Sequence, residues 1–183
     1  YPGKDEPFVL DFVNHPDDIL AAFRPYYRTA ELENVSNPNL VYDLQDKLDE
    51  ERIYTWIEVE AFADAFFDPK QPQDKLSYHS RPAVDRYRDR YRSVVAEINE
   101  ARRTERAAEK LGDNVDLANA HKRLKELGEE KDALDLFKKN LGTFVRFYEF
   151  MSQIVDYDDR ELEKLAVYAR HLRPLLREER LDE

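Results

Sequence analysis

Apolar residues recur every three or four positions along most of this chain, which is the spacing that buries one side of an α-helix. The stripe over residues 40–48 predicts one helix, which follows a turn at residues 36–39. A second helix is predicted to begin after Thr55, because Glu58 three residues later completes the sequence of a capping box. The proline-rich stretch from Pro69 to Pro82 ends this helix and is predicted to be an irregular linker.

The second half of the chain predicts two long helices joined by a tight turn. The first runs from about Arg81 to Leu111, and the sequence Gly112 to Asn114 supplies a helix stop followed by a new N-cap. The next helical pattern becomes strongly apolar from Leu134 onward. Because glycine weakens helices, Gly128 and Gly142 argue against one unbroken helix in this part.

These two helices predict a long antiparallel hairpin. Their aromatic roots, near Tyr87 and residues 144–155, belong to a core, whereas residues 100–130 are mostly charged. The charged part is expected to project into solvent as an arm, since thirty helical residues reach ~45 Å. A break at residues 156–159 precedes a last helix, in which Pro174 is expected to form a kink or a stop.

One segment near the N-terminus has a different pattern. The short apolar run Phe8–Val13 predicts a strand-like segment that stops at Asn14. A helix is predicted from about Pro16 to Tyr27, with Pro25 bending or ending it. The complete prediction is an all-α fold: a helical bundle with a long antiparallel helical hairpin and one short strand-like segment near the N-terminus.

Composition and charge limit the classes of function. The chain has 183 residues, 42% of them hydrophobic and 38% charged, and it has no cysteine, which excludes disulfides and thiolate metal sites. No apolar run approaches the ~20 residues of a membrane span, and no membrane contact is predicted. The absence of cysteine fits a reducing cytoplasm, which is the expected location. The net charge of −11 disfavours general nucleic-acid binding, since affinity for phosphates comes from lysine and arginine. Contact with DNA would require a local basic patch.

The residue types of common catalytic and cofactor sites do not form motifs in this sequence. No glycine-rich phosphate loop ending in Lys-Ser or Lys-Thr is present. The histidines are too scattered to place two metal ligands on one helix face; they are His15, His79, His121 and His171. No catalytic, cofactor-binding or metal-binding residue is therefore predicted.

The strongest local charge feature lies in the first long helix. Four of its arginines are the candidate contacts to DNA or to a protein partner: Arg86, Arg88, Arg90 and Arg92. Tyr87 and Tyr91 alternate with them, and Asp85 and Asp89 each stand three positions before an arginine. Three interpretations stay open: a salt-bridged solvated face, contact with phosphates, and contact with an acidic protein.

The segment from Asp11 to Tyr27 has the pattern DFVN-x-P-x-D-I-x-x-AF-x-PYY. It is followed by Asn37-Pro38-Asn39, Val41-Tyr42-Asp43-Leu44, Phe62 and Ala65-Phe66-Phe67. These residues resemble the R (restriction and translocation) subunit of type I restriction enzymes, in the helical domain that follows the second helicase-type ATPase lobe. The specific part of the resemblance ends near Asp68, and from residue 75 onward it rests on helical character.

The resemblance implies a division of the chain and a function. Residues 1–14 would be the end of the ATPase lobe and residues 15–183 the helical domain, so the chain, which begins at Tyr1, is expected to be part of a longer protein. The parent would be an ATP-dependent, Mg-requiring DNA translocase and endonuclease that works with methyltransferase and specificity subunits. The implied role of the domain is structural: it packs against the preceding ATPase lobe and couples the motor to the methyltransferase and specificity core.

The best-matching segment is expected to fix the junction with the ATPase lobe rather than to perform chemistry. Its residues in this role are Asp11, Asn14, Phe23, Tyr26 and Tyr27. ATP and magnesium are implied for the parent and not for this part of it. Two alternatives stay open: a helical element that contacts DNA and guides the duplex, and an unrelated helical adaptor that binds a protein.

Overall fold

Five α-helices make up the part of the chain that the structure describes, residues 37–181. In this computed structural model, side chains are described from residue 37 to residue 176. The helices are α1 (Leu40–Glu50), α2 (Trp56–Phe67), α3 (Leu76–Leu111), α4 (Asn114–Met151) and α5 (Arg160–Leu181), with a short 3-10 helix at Gln73–Lys75. No strand occurs within residues 37–181. The prediction of an all-α bundle with a long helical hairpin is confirmed.

Several predictions concern residues 1–36 and lie outside the described residues. These are the strand-like segment Phe8–Val13, the helix from about Pro16 to Tyr27 and the boundary between residues 14 and 15. The same holds for the expected junction residues Asp11, Asn14, Phe23, Tyr26 and Tyr27.

The start of α2 follows from its capping box. The Thr55 hydroxyl accepts a hydrogen bond from the Glu58 backbone N–H at 3.3 Å, and the Thr55 N–H donates to Glu58 Oε1 at 3.0 Å. These two bonds satisfy backbone N–H groups that a helix start otherwise leaves without partners. The prediction from the sequence is confirmed, and the helix ends at Phe67.

The predicted linker from Pro69 to Pro82 is wrong in its second half. A 3-10 turn leads directly into α3, which begins at Leu76 and contains Pro82. Proline lacks the N–H that a helix needs at this position, but Leu76 and Ser80, on the turns before it, are buried. Burial of these turns offsets the lost backbone hydrogen bond, so the helix starts earlier than its local sequence predicts.

A glycine and an aspartate build the turn between α3 and α4. Gly112 adopts a left-handed conformation with φ of 70°, which residues with a Cβ adopt only at an energetic cost. The Asp113 side chain then accepts hydrogen bonds from the N–H groups of Val115 at 3.1 Å and Asp116 at 3.0 Å. The predicted helix stop and the new N-cap are both present.

Contacts along the hairpin show that α3 and α4 run antiparallel. Near its root the Tyr87 hydroxyl donates to the Leu134 carbonyl oxygen at 3.1 Å. Farther along, Arg123 pairs with Glu97 at 2.6 Å. Residues that come later on α4 therefore lie opposite residues that come earlier on α3.

α4 is the central helix of the core. It packs against α1, α3 and α5, and its buried aromatic residues are Phe137, Phe144, Phe147 and Phe150. Gly128 and Gly142, which argued against one unbroken helix in the sequence, do not interrupt it. Each glycine weakens a helix by only about 1 kcal/mol relative to alanine, and packing on several sides of α4 outweighs that loss.

An aspartate starts α5, and a proline does not stop it. Asp159 Oδ1 accepts hydrogen bonds from the N–H groups of Glu161 at 3.0 Å and Leu162 at 3.2 Å. The helix continues through Pro174 to Leu181, so Pro174 is not the stop that the sequence allowed. The leucines two positions before and after the proline are 0% exposed, and their burial stabilises the helix across it.

Beyond the main core, the hairpin buries mostly small side chains. Within the described residues, Ile98 is the last α3 residue packed against the main core, and Leu134 is the first α4 residue in it. The buried residues nearer the turn are Ala101, Ala108, Ala120 and Leu127. Residues 100–130, the predicted arm, therefore have a narrow buried seam of their own.

Candidate functional site

Arg86, one of the predicted contact residues, is held by groups of its own chain. Its guanidinium donates to both oxygens of the Glu58 carboxylate, at 2.7 and 2.5 Å, and to the Ile53 carbonyl oxygen at 2.9 Å. Because Glu58 also caps α2, these bonds fasten α3 to the start of α2. The hydrogen bonds between the two side chains lower the pKa of Glu58 and raise the pKa of Arg86.

The other three arginines of the predicted set have different surroundings. Arg90 donates to the Glu51 carbonyl oxygen at 2.5 Å and to its carboxylate at 3.2 Å, and Arg88 pairs with Asp85 at 2.7 Å. Arg92 is exposed and forms no hydrogen bond or ion pair within the described part of the chain. Three of the four arginines therefore have acidic partners, and Arg92 has none within the described residues. Contact of these arginines with DNA or with another protein stays a prediction.

The Glu58–Arg86 pair predicts a contribution to stability that depends on pH. The pKa of Glu58 in the folded chain lies below its ordinary value of 4.5, so the contribution is present above that value and is lost as the pH falls through the lower, folded pKa. We expect the free energies of unfolding of the wild-type chain and the Glu58→Gln variant to converge as the pH falls from neutral through the lowered, folded pKa of Glu58. Urea denaturation over this range measures the difference.

An exposed glutamate of α3 provides the control for this measurement. The Glu109→Gln variant is expected to differ from the wild type by no more than about 0.5 kcal/mol at every pH, because Glu109 is exposed. A difference between wild type and Glu58→Gln that stays constant down to the lowest pH would contradict the pairing.

The end of the hairpin exposes two apolar side chains. Leu111 is 83% exposed and Val115 is 71% exposed, on either side of the Gly112 turn. The helix surface behind them is polar, and His121 there lies 2.8 Å from a carboxylate oxygen of Glu105. Apolar side chains exposed at the end of a polar arm are candidate contacts to another protein.

Tyrosines join the start of α1 to the loop between α4 and α5. The Tyr42 hydroxyl donates to Asp159 at 3.0 Å and the Tyr157 hydroxyl donates to the Pro38 carbonyl oxygen at 2.9 Å. The rings of Tyr148 and Tyr157 stack, with centroids 5.8 Å apart. Burial raises the pKa of Tyr157 to about 12, so its hydroxyl stays protonated and keeps donating in alkaline solution, where an ordinary tyrosine would ionise. A cavity of about 440 Å³ lies beside these residues. One of its walls is formed by the tyrosines that connect α1 to this loop.

A second group of arginines, which the sequence did not single out, lies between α4 and α5. A methyl group on Gly142 would come within 2.8 Å of Arg173 Nε and 3.2 Å of Arg146 Nη1, so both guanidinium groups reach the same small space. Neither has an acidic partner within the described residues, whereas the neighbouring Arg170 pairs with Glu149. The three arginines border a cavity of about 240 Å³.

Among the side chains of residues 37–176, no three His, Asp or Glu are grouped so that they could hold a metal ion. None of the helices in this range combines the length and the apolar character needed to cross a bilayer.

No protein-family model, curated protein or solved structure matches the chain. The resemblance to the R subunit of type I restriction enzymes therefore rests on the chain's own residues.

Proposed function

We propose that this chain is the helical domain of the R subunit of a type I restriction enzyme, and that it couples the ATPase motor to the methyltransferase and specificity subunits. The parent is then a cytoplasmic, ATP-dependent DNA translocase and endonuclease, and its ATP and magnesium act outside this domain. The role of the domain itself is mechanical, because it holds the motor lobe and the methyltransferase core in a fixed relation.

The hairpin with its apolar tip is the observation that carries the proposal. α3 has 36 residues, so it is ~54 Å long at the helical rise of 1.5 Å per residue. Leu111 and Val115 are mostly exposed at its end, and full burial of such a side chain contributes roughly 1.5–3 kcal/mol. A long helical hairpin that ends in two apolar side chains suits attachment to another subunit.

The residues that carry the resemblance also support a mechanical role. Within the described part of the chain, Pro38 and Tyr42 both bond to residues of the loop between α4 and α5. Phe62 is fully buried against Tyr168 of α5. These residues connect elements that are distant along the chain, which is what a domain that transmits force requires.

A double substitution tests the hairpin tip. We expect Leu111→Asp combined with Val115→Asp to weaken capture of the methyltransferase and specificity subunits by about 30-fold or more, which corresponds to ~2 kcal/mol of binding free energy. A pull-down titration of the chain against the purified subunits measures the change.

The matched control is Ile154→Asp. Ile154 is 67% exposed but follows the end of α4, at the opposite end of that helix from the tip. This variant is expected to bind the subunits like the wild type. Equal binding by the wild type and the tip variant would exclude the tip as the attachment point.

A titration with duplex DNA at moderate salt separates the alternatives. Binding of the duplex that weakens steeply with salt, without capture of the methyltransferase core, would replace the proposal by a DNA-guiding element. Capture of neither partner would leave the domain a packing role within its own chain. Turnover of ATP or cleavage of DNA by the isolated chain would contradict a purely mechanical role.

A further inference from the structure

The space beside Gly142 is shaped by the absence of a side chain on α4. Arg173 Nε and Cζ lie 2.8 and 2.9 Å from the position that a Cβ on residue 142 would occupy, and Arg146 Nη1 lies 3.2 Å from it. Real Cβ atoms do not tolerate such distances, so only glycine lets the Arg173 guanidinium approach the helix this closely. The result is two guanidinium groups, one from each helix, that converge on one point.

The described residues place no acidic partner against the positive charge at this point. Arg146 and Arg173 have no acidic partner within the described residues, and the nearby carboxylate of Glu149 is already paired with Arg170. Burial, together with the positive charge of Arg173, lowers the pKa of Arg146. Both side chains are exposed, so solvent screens part of the repulsion between their like charges, and a bound anion would offset the remainder.

The size of the cavity limits what the anion can be. Its volume is about 240 Å³, below the roughly 300–1,000 Å³ of pockets that enclose a whole small molecule. It therefore fits one anionic group. Guanidinium groups bind phosphate and carboxylate oxygens through paired N–H donors, so both kinds of group match in geometry.

The charge count distinguishes these candidates. A phosphate monoester carries about −1.5 to −2 charges at neutral pH, which matches the two guanidinium groups without acidic partners in the described residues. A carboxylate or one phosphodiester carries a single negative charge. A polyanion such as DNA would also be repelled by the net charge of −11 on the chain.

We propose that Arg146 and Arg173, converging over Gly142, bind a phosphate dianion, either free inorganic phosphate or the terminal phosphate of a small monoester. This site is separate from the hairpin tip and does not depend on the proposed attachment to the methyltransferase core.

The experiment is a titration of the whole chain followed by NMR of the arginine Nε–Hε signals at constant ionic strength. The probes are inorganic phosphate, phenyl phosphate as a monoester dianion, and dimethyl phosphate as a monoanion. We expect saturable shifts of the Arg146 and Arg173 signals with the two dianions, and binding by dimethyl phosphate that is at least about tenfold weaker. Comparison of inorganic phosphate with phenyl phosphate distinguishes the two sources of the dianion.

Substitutions then test the residues. We expect Arg146→Gln and Arg173→Gln each to weaken phosphate binding by at least about tenfold, and Arg173→Lys to retain part of the affinity because it keeps the charge but loses the paired donors. Arg92→Gln is the control, since Arg92 is exposed and without a partner in the described residues. Thermal unfolding of each variant confirms that the fold is retained.

Three results would overturn the proposal. One is the absence of saturable shifts with either dianion, and another is equal weakening by Arg92→Gln and Arg173→Gln, which would indicate non-specific charge attraction. The third is binding of a short DNA duplex that is tighter than binding of both dianions and depends on Arg146 and Arg173. That result would assign the site to a polynucleotide instead.

Discussion

Replacing Phe62 by alanine is expected to lower the free energy of unfolding by about 3–5 kcal/mol. The Phe62 ring is 0% exposed, and it packs edge-on against Tyr168 with centroids 5.5 Å apart and stacks on Phe66 at 5.9 Å. Tyr168 is itself fully buried on α5, so the core has little freedom to collapse into the space left by the ring. Urea or guanidinium denaturation, followed by circular dichroism, measures the loss.

The control for this substitution lies on the same helix. Ile57 is 80% exposed, so Ile57→Ala is expected to change the free energy of unfolding by no more than about 0.5 kcal/mol. A cost for Phe62→Ala no larger than that for Ile57→Ala would contradict the packing of Phe62 between α2 and α5.

Replacing Arg86 by alanine is expected to cost about 2–3 kcal/mol of unfolding free energy. The substitution leaves the Glu58 carboxylate, whose side chain is 16% exposed, and the Ile53 carbonyl oxygen without their guanidinium donor. Arg86 itself is 38% exposed, which keeps the cost below the 3–5 kcal/mol of a fully buried pair. Chemical denaturation at neutral pH measures it, and Glu58→Gln is expected to lose part of the same energy.

Arg92→Ala is the comparison for Arg86→Ala. Arg92 lies on the same helix, is exposed and has no partner within the described residues, so its loss is expected to change stability by no more than about 0.5 kcal/mol. A cost for Arg92→Ala as large as that for Arg86→Ala would mean that the ion pair does not account for the loss.

The different surroundings of Arg86 and Arg92 decide which variant can test DNA binding by α3. The double variant Arg86→Ala, Arg90→Ala removes bonds that join α3 to Ile53, Glu58 and Glu51, so weaker DNA binding by this variant could reflect lost structure. Arg92→Ala changes the charge of the helix without removing such bonds, and it is therefore the cleaner probe of phosphate contact.

Local sequence rules predicted several elements correctly. The capping box of Thr55 and Glu58, the stripe of α1 and the turn at Gly112 to Asn114 all have the predicted structure. Each is indicated by residues that lie within about four positions of one another along the chain. The nearby sequence therefore contains the signal for these elements.

The same rules were wrong where tertiary burial outweighs a weak local preference. Pro82 and Pro174 lie inside helices, and Gly142 lies in an unbroken one. At each position the neighbouring turns are buried in the core, and that burial exceeds the cost of one lost hydrogen bond or one flexible residue. The local sequence shows the residue that weakens the helix, but it does not show the tertiary burial that offsets this loss.

The buried seam of the hairpin is marked in the sequence by the spacing of small residues, which a search for large hydrophobic side chains overlooks. Val94, Ala101 and Ala108 follow one another at intervals of seven residues, as do Ala120 and Leu127 on the returning helix. A seven-residue repeat places these positions against a partner helix. Because alanine is small, the charged residues around it dominated the pattern, and the sequence predicted an arm without its buried seam.

The sequence by itself determined the helical class, the caps and the hairpin turn. Only the tertiary structure decided which charges are neutralised: Arg86 meets Glu58 from another helix, whereas Arg146 and Arg173 meet each other. Two charged groups on different helices come together only if the helices have the right register and spacing. No spacing of residues along the sequence specifies that register.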